Sequence, residues 1–259
     1  MSVRASTALL WMLILGSSVL PVQGTEAGAV PTSVSRLGRL HDVPLRAVSL
    51  EDGLWKARLA TNVQTSIPAF LQCLEEAGAL DKLRGRSNRA RGNSDADVGK
   101  WVEAASLALQ SEDRRDIRRL LDQVVEDLMA SSVPGGYLDM QYRRKMPAAL
   151  ADLKGGHLYC LGHLLQGAIA YARTTGDGRL REILASYVDT VIERFGPGRQ
   201  LCWSGHPNIE MALVELYRAT GRRRYLDFAR YLLLEADLRT VPEAREVGFH
   251  HYVAGVPFT

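Results

Sequence analysis

The chain has 259 residues, 46% of them hydrophobic and 24% charged, with a formal net charge of +3 and a pI near 8.8. This is ordinary globular composition for one domain with a core of good size. The charge is mild and no basic run is interleaved with aromatics, which excludes a nucleic-acid-binding surface. Arg84 to Arg91 reads instead as a solvated loop, and Arg222 to Arg224 as a helix start.

Met1 to Gly24 reads as a secretory signal, with Arg4 as the positive start, Ala8 to Leu15 as an apolar core, and Val22-Gln23-Gly24 at the cleavage site. That core is too short to span a bilayer, and no later segment is apolar for long enough. The expectation is therefore an exported protein, secreted or periplasmic, with no membrane partner after cleavage. Residues 25–40 form a polar, small-residue leader expected to be loosely ordered. The domain proper is expected from residue 41 onward.

Asp42 to Leu50 alternates Val43, Leu45, Ala47 and Val48, which predicts a short extended strand. A helix follows from Trp55 to about Ala77, ended by Gly78, with Pro68 expected to kink or break it. Ser94 is predicted to cap the next helix, with Asp95 and Asp97 at the positive end of its dipole. Val98, Trp101, Val102, Ala105 and Leu109 make its core stripe. A helix from Asp113 to Met129 carries Ile117, Leu120, Leu121, Val124, Val125 and Leu128 on one face, and Pro134 to Leu138 is a turn that presents Tyr137 from a loop.

Two helical hairpins complete the pattern. Leu158 to Thr175, ended by Gly176, precedes a helix from Arg179 to Phe195; a helix starting just after His206, with Pro207 at its first position, is ended by Gly221 and precedes Arg223 to Ala236. Tyr171-Ala172-Arg173-Thr174-Thr175-Gly176 and Tyr217-Arg218-Ala219-Thr220-Gly221 repeat at a period of about 45 residues, as in stacked helix pairs. Cys73, Cys160 and Cys202 lie far apart. Cys73 and Cys160 fall on apolar helix faces and read as buried thiols, and no CxxC or HExxH spacing points to a metal.

Five stretches in order carry a resemblance. Val48-Ser49-Leu50-Glu51-Asp52-Gly53-Leu54-Trp55, Asp95 to Ala104, Gly136-Tyr137-Leu138, Leu158 to Leu164, and Gly205-His206-Pro207-Asn208-Ile209-Glu210-Met211-Ala212-Leu213 resemble successive motifs of the β-L-arabinofuranosidase family, glycoside hydrolase family 127. The resemblance implies an all-α (α/α)6 toroid whose funnel binds an arabinofuranoside-type glycan. It also implies retaining hydrolysis, in which a zinc-held cysteine thiolate attacks the anomeric carbon and a glutamate serves as acid and base. In the family those zinc cysteines and that glutamate lie beyond the second hairpin, so zinc belongs to full-length members and no cofactor is expected in this chain. With about seven helices where a closed ring takes twelve, the expectation is an incomplete toroid, missing its C-terminal half, with an atypical tail from about Val241.

The candidate sugar contacts are His157, His206, Tyr137, Asp97, Trp101 and His163. The family usually has His-Glu ahead of Leu-Tyr where this chain has Gly156-His157, so that histidine is either lost at Gly156 or replaced by His157. Trp101 at helical spacing also reads as core, His163 as a hydrogen-bonded structural histidine, and Asp97 as a capping residue. Glu103, Glu210 and Glu215 are the other carboxylates near these motifs; Glu215 falls on the polar, solvated side of its helix, and no pair is singled out as acid and nucleophile. Two readings stand: a hydrolase half bearing sugar-contacting histidines, or a non-catalytic carbohydrate-binding helical repeat.

Overall fold

The computed structural model describes residues 39–40, 43–86, 94–133, 135–136, 138, 153, 156–202 and 208–235. The signal segment, most of the leader, Tyr137, His206, Pro207 and the tail from Val241 lie outside the described residues. The chain divides into a unit Met1–Pro44 and a unit Leu45–Thr259. In the first, Leu40 and Val43 are exposed; the second holds every element below.

The second unit is all-α. No strand forms among the described residues beyond one isolated bridge between Phe195 and Gln200. The strand expected over residues 42–50 is instead a single 3-10 turn at Leu45–Ala47. An alternating segment makes a strand only where another edge offers it a ladder. Here Val48 and Leu50 face solvent, and the Arg46 guanidinium donates to the Thr174 carbonyl at 2.8 Å.

Helix α1, Leu54–Thr61, and helix α2, Ile67–Glu76, are joined without a break by a π turn at Asn62–Ser66. Pro68 stands at the start of α2, and the interruption expected of it takes the form of that π turn in the regular α pattern. Its missing N–H deprives the carbonyl four residues back of an α-type donor, and the widened turn absorbs this upstream, where the Ile67 N–H reaches back five residues to Asn62 O. Helix α2 buries Ile67, Leu71 and Leu74, and Gly78, at φ 76°, closes it. Cys73 falls on the opposite side from that stripe and is exposed, not buried as its apolar neighbours predict. Cys160 is buried, and none of the three thiols is in a disulfide.

After the short α3, Ala79–Leu83, come three hairpins: α4, Ser94–Ser111, with α5, Arg115–Ser131; α6, His157–Thr175, with α7, Arg179–Arg194; and α8, Ile209–Thr220, with α9, Arg223–Arg230. A second π turn, Tyr231–Glu235, continues α9. Several boundaries differ from the sequence reading, two of them at motif residues. Ser94 is the first helical residue of α4, buried, with its hydroxyl toward Asp95, and α8 begins at Ile209, two residues past Pro207. The repeated hairpin corners are built alike. Gly176 and Gly221 adopt φ 80° and 71°, which only glycine enters without strain. The preceding Thr175 and Thr220 hydroxyls donate back to Tyr171 O and Leu216 O at 2.8 and 2.7 Å, and accept from the N–H two residues ahead.

The three first helices of the hairpins, α4, α6 and α8, touch one another and run parallel. Gly99 of α4 abuts the His163 backbone, Gly162 of α6 abuts Asn208 and Ile209, and further along Gln110 bonds Thr174 at 2.9 Å while Arg173 bonds Glu215. Rising residue numbers therefore meet rising ones across both seams. The return helices form a second layer, tied by Arg179–Glu126 at 2.7 Å, Arg222–Glu182 at 3.1 Å and Arg224–Asp189 at 3.3 Å. Helix α6 buries 13 of its 19 residues against 6 of 17 in α5, which marks α4, α6 and α8 as the inner layer. Two charges expected to be solvated are engaged: Glu215 binds both Arg173 and Arg218, and Arg84 pairs with Asp127 at 2.7 Å.

Candidate functional site

The inner helices all start at the same end of the layer, so their first turns gather the chemistry. From His157 to Ala172 every residue of α6 is buried except Tyr159, His163 and Gln166. Those three stand at steps of four and three, one stripe on one face. The matching stripe on α4 is Asp97, Lys100, Glu103, Ala104 and Leu107, none of them fully buried. The two stripes flank the α4–α6 seam and together form a half-exposed polar face in an otherwise apolar layer.

The side chains on this face are interlinked. Lys100 Nζ lies 3.1 Å from Asp97 Oδ1 and 5.2 Å from the centroid of the Tyr159 ring. Burial works against the Lys100 ammonium, but the neighbouring Tyr159 and Asp97 outweigh it and hold its pKa above the ordinary lysine value. The Tyr159 and His163 rings meet edge to face, with centroids 4.6 Å apart and planes at 82°. Toward α8, Asn208 Nδ2 donates to Gln166 Oε1 at 3.2 Å. Glu103 sits one turn beyond Lys100, and burial alone pushes its carboxyl above the usual glutamate range.

Of the residues singled out by sequence, Asp97 and His163 are brought together on this face. His157 is the first residue of α6, at the same end of the layer, but it is buried, behind Gly156 in the left-handed conformation at φ 89°. Trp101 is a core residue: its side chain is fully buried and its indole N–H donates to Ile67 O at 2.9 Å. It offers no ring face to a ligand in this arrangement. His206 and Tyr137 lie outside the described residues. Sequence reasoning passed over Tyr159 and Gln166, which stand four residues before and three after His163, a spacing that places all three on one face.

Zinc needs a set of thiolate, imidazole or carboxylate donors converging within bonding distance. Among the described residues no group of three His, Cys, Asp or Glu could hold a metal ion. Cys202 is buried near Glu210, and burial first, then that carboxylate's charge, push its thiol up to about 12. These residues do not fit the metal. No helix among the described residues is long and apolar enough to cross a membrane.

The family model for beta-L-arabinofuranosidase, GH127 catalytic domain, matches residues 47–253. A non-reducing end β-L-arabinofuranosidase of Bifidobacterium longum subsp. longum is 33% identical over 147 residues, 54% of this chain and 22% of that protein. A GH127 β-L-arabinofuranosidase from Geobacillus stearothermophilus T6 superposes with a TM-score of 0.66 at 32% identity, covering 72% of this chain and 32% of that one. A second GH127 β-arabinofuranosidase gives 0.65 at 30%, covering 74% and 33%. The chain thus spans about a fifth of the curated relative's length and about a third of these solved structures, which are (α/α)6 barrels. Three parallel inner helices backed by antiparallel returns are the arrangement from which such a barrel is assembled. With the family model matching most of its length, the chain belongs to the GH127 β-L-arabinofuranosidase catalytic-domain family.

Proposed function

We propose that the α4–α6 face is a sugar-contacting wall of an exported β-L-arabinofuranosidase-type hydrolase. The observation that carries this is the Tyr159, His163 and Gln166 stripe, polar and half-exposed on a helix buried everywhere else from His157 to Ala172, in a chain of this family. A furanoside presents hydroxyls that both donate and accept, and a C–H surface. The Tyr159 ring serves the second, while Asp97, Lys100, His163 and Gln166 serve the first. His157, His206 and Tyr137 are assigned as further sugar contacts, and Trp101 as the core residue whose indole N–H ties α4 to the Ile67 carbonyl of α2. Retaining hydrolysis of terminal β-L-arabinofuranosides is proposed as the activity of the whole protein. Export is proposed from residues 1–24.

Calorimetric titration of the purified chain with methyl β-L-arabinofuranoside tests the wall. Saturable binding that is lost in His163→Ala, with the helical circular dichroism retained, is expected; absence of binding by a folded wild-type chain overturns the reading. A parallel assay with an aryl β-L-arabinofuranoside separates a catalytic chain from one that only binds. Turnover abolished by His206→Ala, with the fold intact, identifies the former.

A further inference from the structure

Glu103 is the one carboxylate on the α4–α6 face, among the described residues, whose side chain has no hydrogen bond or ion pair. Its natural helical partner, Lys100 three residues earlier, is turned away toward Asp97 and Tyr159. Position 103 stands one turn beyond Gly99, on the side of α4 that meets α6. Gly99 lies against the His163 backbone, and Gly167 lies against Gly99 O and Val102. The two backbones therefore touch one turn before Glu103, and its side chain is half-buried.

A half-buried carboxylate with no partner is a standing cost to the fold, because desolvation penalises the charge and nothing returns the lost hydrogen bonds. Structural carboxylates in this chain look different. Asp127, Glu215 and Asp116 each hold an arginine. Glu103 keeps its acceptor oxygens unspent on the α4 stripe, across the seam from the α6 stripe of Tyr159, His163 and Gln166.

We propose that Glu103 is a ligand-contacting residue of this wall, accepting hydrogen bonds from two vicinal hydroxyls of a furanoside. The inference rests on the sugar-binding reading above and adds to it the residue and the chemical feature recognised. Two adjacent O–H donors suit two syn-oriented carboxylate oxygens and replace the solvation that burial removed. A ligand lacking one of the paired hydroxyls leaves an oxygen unsatisfied and binds more weakly.

The test is Glu103→Gln and Glu103→Ala in the full chain, read by calorimetry against methyl β-L-arabinofuranoside and its 2-deoxy and 3-deoxy analogues, and by thermal melting without ligand. Expected is a loss of affinity of roughly tenfold or more in both variants, the loss of one charge-assisted bond, with the melting temperature of Glu103→Gln unchanged or raised. The deoxy analogues should lose affinity for the wild type and much less for Glu103→Gln. Wild type that binds while both variants bind equally well overturns the Glu103 assignment and leaves the wall standing. A lower melting temperature for Glu103→Gln with unaltered binding assigns the carboxylate a structural role and overturns it too. A folded wild type that binds none of the furanosides overturns the wall and the assignment together.

Discussion

Gly99→Ala is the perturbation that best separates local propensity from packing in this fold. Gly99 lies inside α4, and replacing a helical glycine by alanine favours the helix by about 1 kcal/mol when nothing is in the way. Here something is. The new Cβ would stand 2.7 Å from the carbonyl carbon and oxygen of His163 and from the amide nitrogen of Leu164, all backbone atoms of α6. Ordinary contact begins near 3.4 Å, so the helices must part by roughly 0.7 Å, a gap that forfeits about a third of each dispersion contact along the seam. If about thirty atom pairs at about 0.15 kcal/mol each are affected, the loss is about 1.5 kcal/mol, and overpacking strain adds about 1–3 kcal/mol. Net of the helical gain, destabilisation of about 2 kcal/mol is expected, a fall of about 4–8 °C in Tm for a chain of this size. Urea and thermal unfolding followed by circular dichroism measure it. A gain in stability of about 1 kcal/mol, as propensity alone demands, would refute the close seam and with it the placement of Lys100 beside Tyr159.

Other consequences are open to measurement. Trp101→Phe removes the indole donor to Ile67 O and leaves part of a fully buried site unfilled, so it should cost about 1–3 kcal/mol while leaving furanoside binding unchanged; loss of binding with full stability would return Trp101 to the site. Glu215→Ala unties two inner helices by removing the partner of Arg173 and Arg218, for a loss of about 1–2 kcal/mol that 1 M salt should largely mimic in the wild type. Native-state thiol labelling at pH 8 should modify Cys73 quickly and Cys160 and Cys202 only after denaturation; rapid labelling of Cys202 would contradict its burial. The pH dependence follows from raised pKa values. Cys202 and Tyr171 are both pushed up to about 12, each first by burial, with Glu210 and Asp122 assisting. A group bound to its proton more tightly when folded stabilises fully below its unfolded pKa, near 9 for the thiol and 10 for the phenol. That stability is lost as pH rises through the folded value. Unfolding titrations should therefore show a decline between about pH 9 and 12, and a Cys202→Ala chain should show a smaller one.

The hairpins were legible in the sequence because their signals are local. Gly78, Gly176 and Gly221 end helices where a chain of left-handed glycine and periodic leucine says they must, and Thr-Gly at both corners revealed the repeat. Trp101 was legible as core from its spacing with Val98, Val102 and Ala105. What could not be read was anything set by a partner across space. The alternating residues 42–50 promise a strand, but among the described residues no neighbouring edge bonds them. Cys73 lies among apolar residues, and only the choice of Ile67, Leu71 and Leu74 as the buried stripe sends it outward. Glu215 looks solvated on its own helix, and Arg173 arrives from another. The site was half legible for the same reason: the motif around His163 could be recognised, whereas the alignment of its stripe with Asp97 and Lys100 depends on Gly99 and Gly167 letting two backbones touch.

The π turn at Asn62–Ser66 amounts to one surplus residue carried inside a continuous helix. Each such residue rotates everything upstream by about 100° relative to everything downstream. Helix α2 can therefore point Ile67, Leu71 and Leu74 inward while α1, on the same rod, turns Leu54 and Trp55, 63% and 71% exposed, to a different side. The rod acts as a crank with two throws, and the angle between them is set by a single residue. Deleting one position within 62–66 would straighten the crank and swing the Asp52-Gly53-Leu54-Trp55 corner to a new azimuth about the helix axis, leaving the Ile67, Leu71 and Leu74 stripe in place while displacing the buried Val63.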